Sequence, residues 1–236
     1  GSTGSIGTNA LSIIKKTKNS FKIELLLAKN NFKKISEQIR IFKPKIVVIL
    51  NPIVFVKIKK KFKFKKIIFL NNLNYIDKYL KKIDITISAI PGIAGLEPTI
   101  IFIKKSNKIL LANKESIVCG WDLIKKNLKK NKTKLVAIDS EHFSIEQLTK
   151  NYKNDDIEKI YITASGGPFL NLNKKKFKFI KKRKAIKHPK WKMGSKISVD
   201  SATLMNKILE LVEAKKLFPF DFKKYEIVIH PQSLVH

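Results

Sequence analysis

Gly1-Ser2-Thr3-Gly4-Ser5-Ile6-Gly7 decides how the rest of the chain is read. Its glycines recur every third residue, and a helical stretch over 9–16 follows. Glycine permits a tight turn and close approach of the backbone to a ligand. The first turn of the next helix offers free N–H groups to an anion. A glycine-rich run alone is a weak signal, and its weight comes from what surrounds it. Residues 21–27 read as a strand, 32–42 as a helix stopping before Pro44, and 45–50 as a buried strand. Short apolar runs recur at 67–70, 84–90, 109–111 and 135–138, with helical stretches such as 72–82 and 116–129 between them. Strand and helix in alternation predict an α/β chain with a mostly parallel sheet covered on both faces.

The pattern changes after Ile138, where the domain boundary is placed. A strand over 159–164 leads into Gly166-Gly167-Pro168 and then a Lys-rich, aromatic-containing segment over 171–194. Residues 197–217 read as one helix, and a strand begins at 226–229.

Composition narrows the function. The chain has 236 residues, 44% of them hydrophobic, enough for a sizeable core in one or two domains. Its apolar runs are far shorter than the roughly 20 residues a membrane helix needs. The formal charge of +32 raises the possibility of a nucleic-acid partner. Against it, Arg40 and Arg183 are the only arginines among 50 basic residues, and the lysines are spread along the whole chain. Arginine is the residue suited to bidentate contact with phosphate and guanine. A solvated surface from an AT-rich genome explains the charge better, and no specific nucleic-acid partner is expected. Cys119 is the single cysteine, so no intramolecular disulfide forms. The expected location is the bacterial cytoplasm, with a plastid-type organelle left open. The chain starts at Gly1 rather than Met, so a preceding strand or targeting segment is expected to be missing.

Two places carry chemistry. The first is the end of the second strand, where Ala28-Lys29-Asn30 lies. An acid there would favour NAD through the ribose hydroxyls, whereas Lys29 suits a 2′-phosphate and favours NADP. Lys29 could equally be one more surface lysine, and Glu24 lies inside the strand. The second is Asp139-Ser140-Glu141, directly after the strand 135–138. Ligands of open α/β sheets sit beyond the carboxyl ends of strands, and hard oxygen donors suit Mg²⁺ or Mn²⁺. The plainer alternative is a helix N-cap followed by a first-turn acid. In the expected helix, Thr203, Asn206, Lys207 and Glu210 fall at i, i+3, i+4 and i+7 on one face. That stripe is either a solvated face or a cleft wall in which Glu210 completes a three-carboxylate metal site and Ser201, Asn206 and Lys207 hold a phosphate.

Seven segments coincide with one family: 1–7 (GSTGSIG), 111–118 (LANKESIV), 139–142 (DSEH), 163–169 (TASGGPF), 188–194 (HPKWKMG), 196–207 (KISVDSATLMNK) and 229–233 (IHPQS). In this order and spacing the chain resembles the 1-deoxy-D-xylulose 5-phosphate reductoisomerases. The resemblance implies a Rossmann-like NADPH-binding domain over 1–138 and an α/β catalytic domain over 139–236, truncated here, with a C-terminal helical domain absent. The implied reaction rearranges 1-deoxy-D-xylulose 5-phosphate, a phosphosugar, and reduces it with NADPH to 2-C-methyl-D-erythritol 4-phosphate, in a homodimer.

By the same resemblance Asp139, Glu141 and Glu210 hold the divalent cation, Mn²⁺ or Mg²⁺, with Co²⁺ as a further candidate. Ser140 and Lys114 hold the substrate's backbone oxygens. Ser165, Ser201, Asn206 and Lys207 hold its phosphate, with His188 nearby. Thr3, Gly4, Ser5, Ile6, Ala28, Lys29, Asn30, Asn113, Glu115 and Gly194 contact NADPH. Residues 165–194 match a lid, hinged at Gly166 and Gly167 and bearing Trp191 and Met193; plain core packing is the alternative for Trp191. Ala28 stands where the family commonly has glycine. This segment alone is expected to be unstable or inactive. Two alternatives remain: another NADP-dependent oxidoreductase, and a non-catalytic polyanion-binding protein.

Overall fold

The computed structural model describes residues 1–17, 20–63, 66–186 and 194–235. In chain order the elements are α1 (Ser5–Lys16), β1 (Leu25–Ala28), α2 (Phe32–Phe42), β2 (Ile46–Ile49), α3 (Pro52–Lys61), β3 (Ile68–Leu70), α4 (Ile76–Tyr79), β4 (Ile83–Ser88) and α5 (Leu96–Lys104). These are followed by β5 (Ser106–Leu111), α6 (Lys114–Asn131), β6 (Lys134–Ala137), α7 (Ser140–Thr149), β7 (Ile160–Ala164), α8 (Lys182–Ala185), α9 (Ser195–Ala202), α10 (Met205–Leu217) and β8 (Tyr225–Ile229). The α/β class expected from the sequence holds.

The chain forms two compact units, Gly1–Ser116 with Asp122–Val136, and Ile117–Trp121 with Ala137–His236. The first carries sheets in the orders β1-β2-β3 and β4-β5-β6. In the former, Leu25 registers with Ile46, and Ile46 with Ile68, all strands running parallel. The run Ile46-Val47-Val48-Ile49 is fully buried because helices cover both faces of a parallel sheet. Leu11, Leu26, Ile35, Ile39, Val47, Ile49 and Ile58 join α1, α2 and α3 to β1 and β2 in one core.

The second unit is built on the parallel pair β7-β8, with Ile160 opposite Tyr225 and Ala164 opposite Ile229. Ile145 of α7, Ile160 and Ile162 of β7, Ala214 of α10, and Phe220 and Tyr225 form its core. That core fixes α7 and α10 beside the same strand, which matters for the site below.

Local chemistry explains where elements depart from the sequence expectation. The expected helix over 72–82 shrinks to α4, because Asn72 turns the chain by accepting from the Asn74 backbone (3.0 Å) and β4 already begins at Ile83. The helix α3 was not foreseen, yet its signal is plain: the Asn51 side chain caps Ile53 N and Val54 N, with Pro52 in the first turn. The expected single helix over 197–217 is two. The Thr203 hydroxyl bonds back to Val199 O (3.3 Å) and Asp200 O (3.2 Å), and Leu204 then takes a left-handed φ of 60°. Thr203 therefore ends α9 and leaves the face that Asn206, Lys207 and Glu210 share on α10.

Candidate functional site

In the first unit the glycine loop is built by close packing. The amino nitrogen of Gly1 and the Ser2 N–H both point at Leu27 O (3.0 Å each), which ties the loop to the end of β1. A Cβ on Gly1 would lie 2.4 Å from Ala89 O, just past β4, and one on Gly7 would lie 2.4 Å from Gly1 O. A Cβ on Gly4 would meet nothing nearer than 3.4 Å. Gly1 and Gly7 are thus glycines for fit, while Gly4, Ser5 and Ile6 stay exposed at the start of α1. Gln38 Nε2 donates to Ser2 O (2.9 Å) and Lys34 Nζ to Thr3 O (3.4 Å), so α2 braces the loop. Ala28 is buried at the end of β1; Lys29 and Asn30 follow in the open, and Asn30 accepts from Asn51 Nδ2 (3.0 Å). Thr3–Ile6 and Ala28–Asn30 are thereby brought to one end of this sheet.

Asn113, also expected at the nucleotide site, has a structural task. Its Oδ1 caps α6 by accepting from Ser116 N (2.5 Å), and its Nδ2 donates to the carbonyls of Ile90 and of Gly92 (2.8 Å). These bonds hold the 90–92 turn against the α6 N-terminus, where Lys114 is buried and Glu115 half-buried.

The second unit gathers the acids. Asp139 follows β6 and is the N-cap of α7, its carboxylate accepting from Ser140 N (3.1 Å). The cap alternative weighed from the sequence is therefore correct, and it does not exclude the cluster. Glu141, in the first turn of α7, and Glu210, on α10, are 8% and 1% exposed. Asp139, Glu141 and Glu210 each offer an oxygen within 4.8 Å of the others. Oxygens opposite one another around an octahedral Mg²⁺ are roughly 4.2 Å apart, so the set fits a divalent ion after a slight contraction.

Lys207 sits among these acids. Its Nζ pairs with Glu141 Oε1 and lies 2.6 Å from Glu210 Oε2. Asn206 Nδ2 donates to Glu210 Oε1, and Ser140 Oγ to Glu141 Oε2 (2.8 Å). Burial alone pushes the Glu141 carboxyl up, but the Lys207 charge, its hydrogen bond and the Ser140 hydroxyl outweigh it and bring the value down to about 2. Burial likewise works against the Lys207 ammonium, and the charges of Glu210 and Glu141 overcome it, raising its pKa. Three carboxylates drawn this close together repel one another, and a cation held between them relieves that repulsion.

A neighbouring set was not foreseen. His142 is fully buried, and its Nδ1 lies 3.5 Å from Glu213 Oε2 and 4.0 Å from Asp139 Oδ2. Nε2 lies 2.9 Å from Glu210 O. A carbonyl can only accept, so Nε2 carries the proton and donates. The ring stacks on Phe218 (centroids 6.4 Å, 14°). Two spacings could have flagged these residues: His142 lies three after Asp139, and Glu213 three after Glu210.

The remaining expected residues of this unit fall on its loops and helix ends. Ser165, half-buried, leaves β7 and enters Gly166 and Gly167, whose φ values are 86° and 71°. A Cβ on Gly167 would meet Ser201 O at 2.7 Å, so this glycine turn lies directly on the end of α9. Ser165, Ser201, Asn206 and Lys207 are thus carried by adjoining segments. Gly194 is the exposed N-cap of α9. His188, Trp191 and Met193 lie outside the described residues.

A parallel α/β unit opening on a glycine loop and a second α/β unit that gathers three carboxylates beyond a strand end define the class, a two-unit α/β protein. The family model for 1-deoxy-D-xylulose 5-phosphate reductoisomerase matches residues 1–120, and that for the C-terminal domain of the same enzyme matches 135–218. The chain belongs to the 1-deoxy-D-xylulose 5-phosphate reductoisomerase family. It is 51% identical to the reductoisomerase of Pelagibacter ubique and 40% identical to that of Clostridium tetani, in each case over 100% of this chain and 62% of the relative. The chain therefore spans less than two thirds of the length of these relatives. A solved reductoisomerase in complex with NADPH, fosmidomycin and magnesium superposes with a TM-score of 0.90 at 36% identity, covering 100% of this chain and 61% of that one. The Zymomonas mobilis enzyme in complex with NADPH gives 0.88 at 34%, with the same coverage. Among the described residues, no helix is long and apolar enough to cross a membrane.

Proposed function

We propose that this chain carries the NADPH-binding part, residues 1–138, and the metal- and substrate-binding part, residues 139–236, of an enzyme that converts 1-deoxy-D-xylulose 5-phosphate to 2-C-methyl-D-erythritol 4-phosphate. The observation that carries this reading is the convergence of Asp139, Glu141 and Glu210 from two helices of one unit. These carboxylates would hold Mg²⁺, Mn²⁺ or Co²⁺. Such an ion, when bound, acts as a Lewis acid and template for a ketone oxygen and its neighbouring hydroxyl.

The chain's own groups divide the remaining work. Ser140, an exposed residue whose hydroxyl donates to Glu141, and Lys114 would hold the substrate's backbone oxygens. Ser165, Ser201 and Asn206 would hold the phosphate, with His188 as a further contact. Lys207 pairs with Glu141 and Glu210; once those carboxylates share a cation, its ammonium can turn to the phosphate. Thr3, Gly4, Ser5 and Ile6 at the start of α1 suit a pyrophosphate, and exposed Lys29 suits the 2′-phosphate that distinguishes NADPH. Ala28, Asn30, Asn113, Glu115 and Gly194 complete the proposed contacts, Asn113 through its backbone because its side chain is engaged. A bacterial cytoplasmic location accords with the bacterial relatives and the lone Cys119, and the homodimer is carried over from the family resemblance alone.

The test is oxidation of NADPH by the native protein. Oxidation should require both 1-deoxy-D-xylulose 5-phosphate and a divalent ion such as Mn²⁺, and NADH should replace NADPH poorly. Oxidation that persists in a chelator, or none with this substrate, contradicts the proposal.

A further inference from the structure

The second unit holds a concentration of charge that the proposed chemistry leaves unused. Between Glu158 and Asp200 lie 41 residues without one Asp or Glu and with thirteen Lys or Arg. Eight of those cations occupy the eleven positions 174–184. Lys175, Lys176, Lys178, Lys181, Lys182, Arg183 and Lys184 are all exposed, and among the described residues none of them enters an ion pair. A second acid-free stretch, between Glu37 and Asp77, holds ten Lys or Arg, so what sets 174–184 apart is its position in the second unit.

Its place in the unit gives the charge a direction. The segment starts from the 165–169 turn, where Gly167 abuts Ser201, and the Phe169 and Phe177 rings lie 6.4 Å apart. It ends in α8, which packs on α9, the helix that carries Ser201. Both ends are therefore anchored beside the proposed phosphate site. Asp139, Glu141, Glu210 and Glu213 crowd the unit's interior, countered by the Lys207 ammonium. A field of exposed cations at the rim of such a site raises the local concentration of a phosphate dianion.

We infer that residues 174–184 form an electrostatic funnel that draws the phosphorylated substrate to this site. The inference rests on the function proposed above and deepens it. Exposed charges act at a distance of about 8 Å at physiological salt, so the segment need not touch the substrate in order to act. The funnel raises capture, read as kcat/KM, and leaves kcat at saturation unchanged. It also opposes the approach of a divalent cation, so anion and cation respond to it with opposite signs.

The experiment replaces Lys175, Lys176, Lys178, Lys181, Lys182 and Lys184 by Gln in the native protein. A second variant replaces them by Arg. A third removes the same charge elsewhere, with Lys57, Lys60, Lys104, Lys108, Lys125 and Lys129 changed to Gln. Turnover of 1-deoxy-D-xylulose 5-phosphate is followed across ionic strength, and Mn²⁺ affinity is measured by titration.

In the first variant, kcat/KM should fall about tenfold at low salt with a flattened salt dependence, kcat should hold, and Mn²⁺ should bind more tightly. The Arg variant should match the unaltered protein, and the third should keep most of its kcat/KM. A misfolded first variant would lose substrate and Mn²⁺ together, and the unaltered protein and the Arg variant would then decide: a kcat/KM that does not fall with rising salt in both overturns the inference. An equal loss in the third variant also overturns it, by assigning the effect to net charge. So does an unchanged kcat/KM in the first variant, including the case where it loses affinity for a random oligonucleotide and the segment serves a polyanion instead. Absence of turnover in the unaltered protein removes the functional reading and the funnel together, whereas normal turnover with an unaltered salt slope removes the funnel alone.

Discussion

His142 Nε2 donates to the backbone carbonyl of Glu210 across 2.9 Å, joining the first turn of α7 to the middle of α10. This bond links two helices that approach each other for another reason, their shared packing on β7 through Ile145 and Ala214. It sets the height at which Glu210 meets Asp139 and Glu141.

Replacing His142 by Phe keeps a ring against Phe218 but removes the donor from a buried carbonyl. Urea unfolding should show a loss of about 1–3 kcal/mol, the cost of stranding such a group. Mn²⁺ affinity should weaken with it. Wild-type stability in this variant would mean that packing alone aligns α7 and α10.

Glu210→Gln preserves shape and removes one of three ligand charges. Mn²⁺ affinity should fall at least about tenfold, since hard cations depend on carboxylate charge, and turnover should fall with it. NADPH affinity should stay within about twofold, because Glu210 belongs to the other unit from the glycine loop. Isothermal titration with each ligand checks both statements, and a parallel loss of NADPH binding would contradict the assignment.

The glycine loop makes a positional prediction. Gly7→Ala places a methyl 2.4 Å from Gly1 O and 2.7 Å from Ser2 Cα, backbone atoms that cannot turn aside. It should destabilise the protein by about 1–3 kcal/mol, the usual cost of overpacking, and weaken NADPH binding. Gly4→Ala finds its nearest neighbour at 3.4 Å and should leave thermal stability nearly unchanged. Equal thermal shifts in the two variants would contradict the packing described.

These assignments differ in how far the sequence revealed them. The order of strands and helices was legible because apolar runs such as Ile46–Ile49 mark buried parallel strands and Pro44 marks a helix stop. The carboxylate cluster was legible as a hypothesis, from Asp139 and Glu141 beyond a strand end. The break at Thr203–Leu204 was not, since a threonine hydroxyl that bonds back to the preceding turn also occurs inside continuous helices, and only the left-handed Leu204 marks the stop. Without that break the periodic face appeared to include Thr203. His142 and Glu213 were only half legible: the i, i+3 spacings place each beside a cluster member, but nothing local pairs the two helices across more than 60 residues. The dual nature of Asp139, cap and cluster member, shows that the plain and the functional readings of one residue can both hold.

Tyr225 gives a pH prediction clear of the acidic cluster. Burial pushes its hydroxyl up to about 12 from 10.0. A raised folded value means that the stabilising contribution is complete below pH 10 and is lost as the pH rises toward 12. Denaturant titrations across that range should show stability falling, and Tyr225→Phe should flatten this part of the profile. An unchanged slope in the variant would place the alkaline transition on other groups.

The most direct test is a crystal of the native protein soaked in Mn²⁺ and measured for anomalous scattering. The account predicts a strong peak with an oxygen of Asp139, of Glu141 and of Glu210 each within about 2.5 Å. A map without a peak among these three carboxylates, or with manganese held only elsewhere, would contradict it.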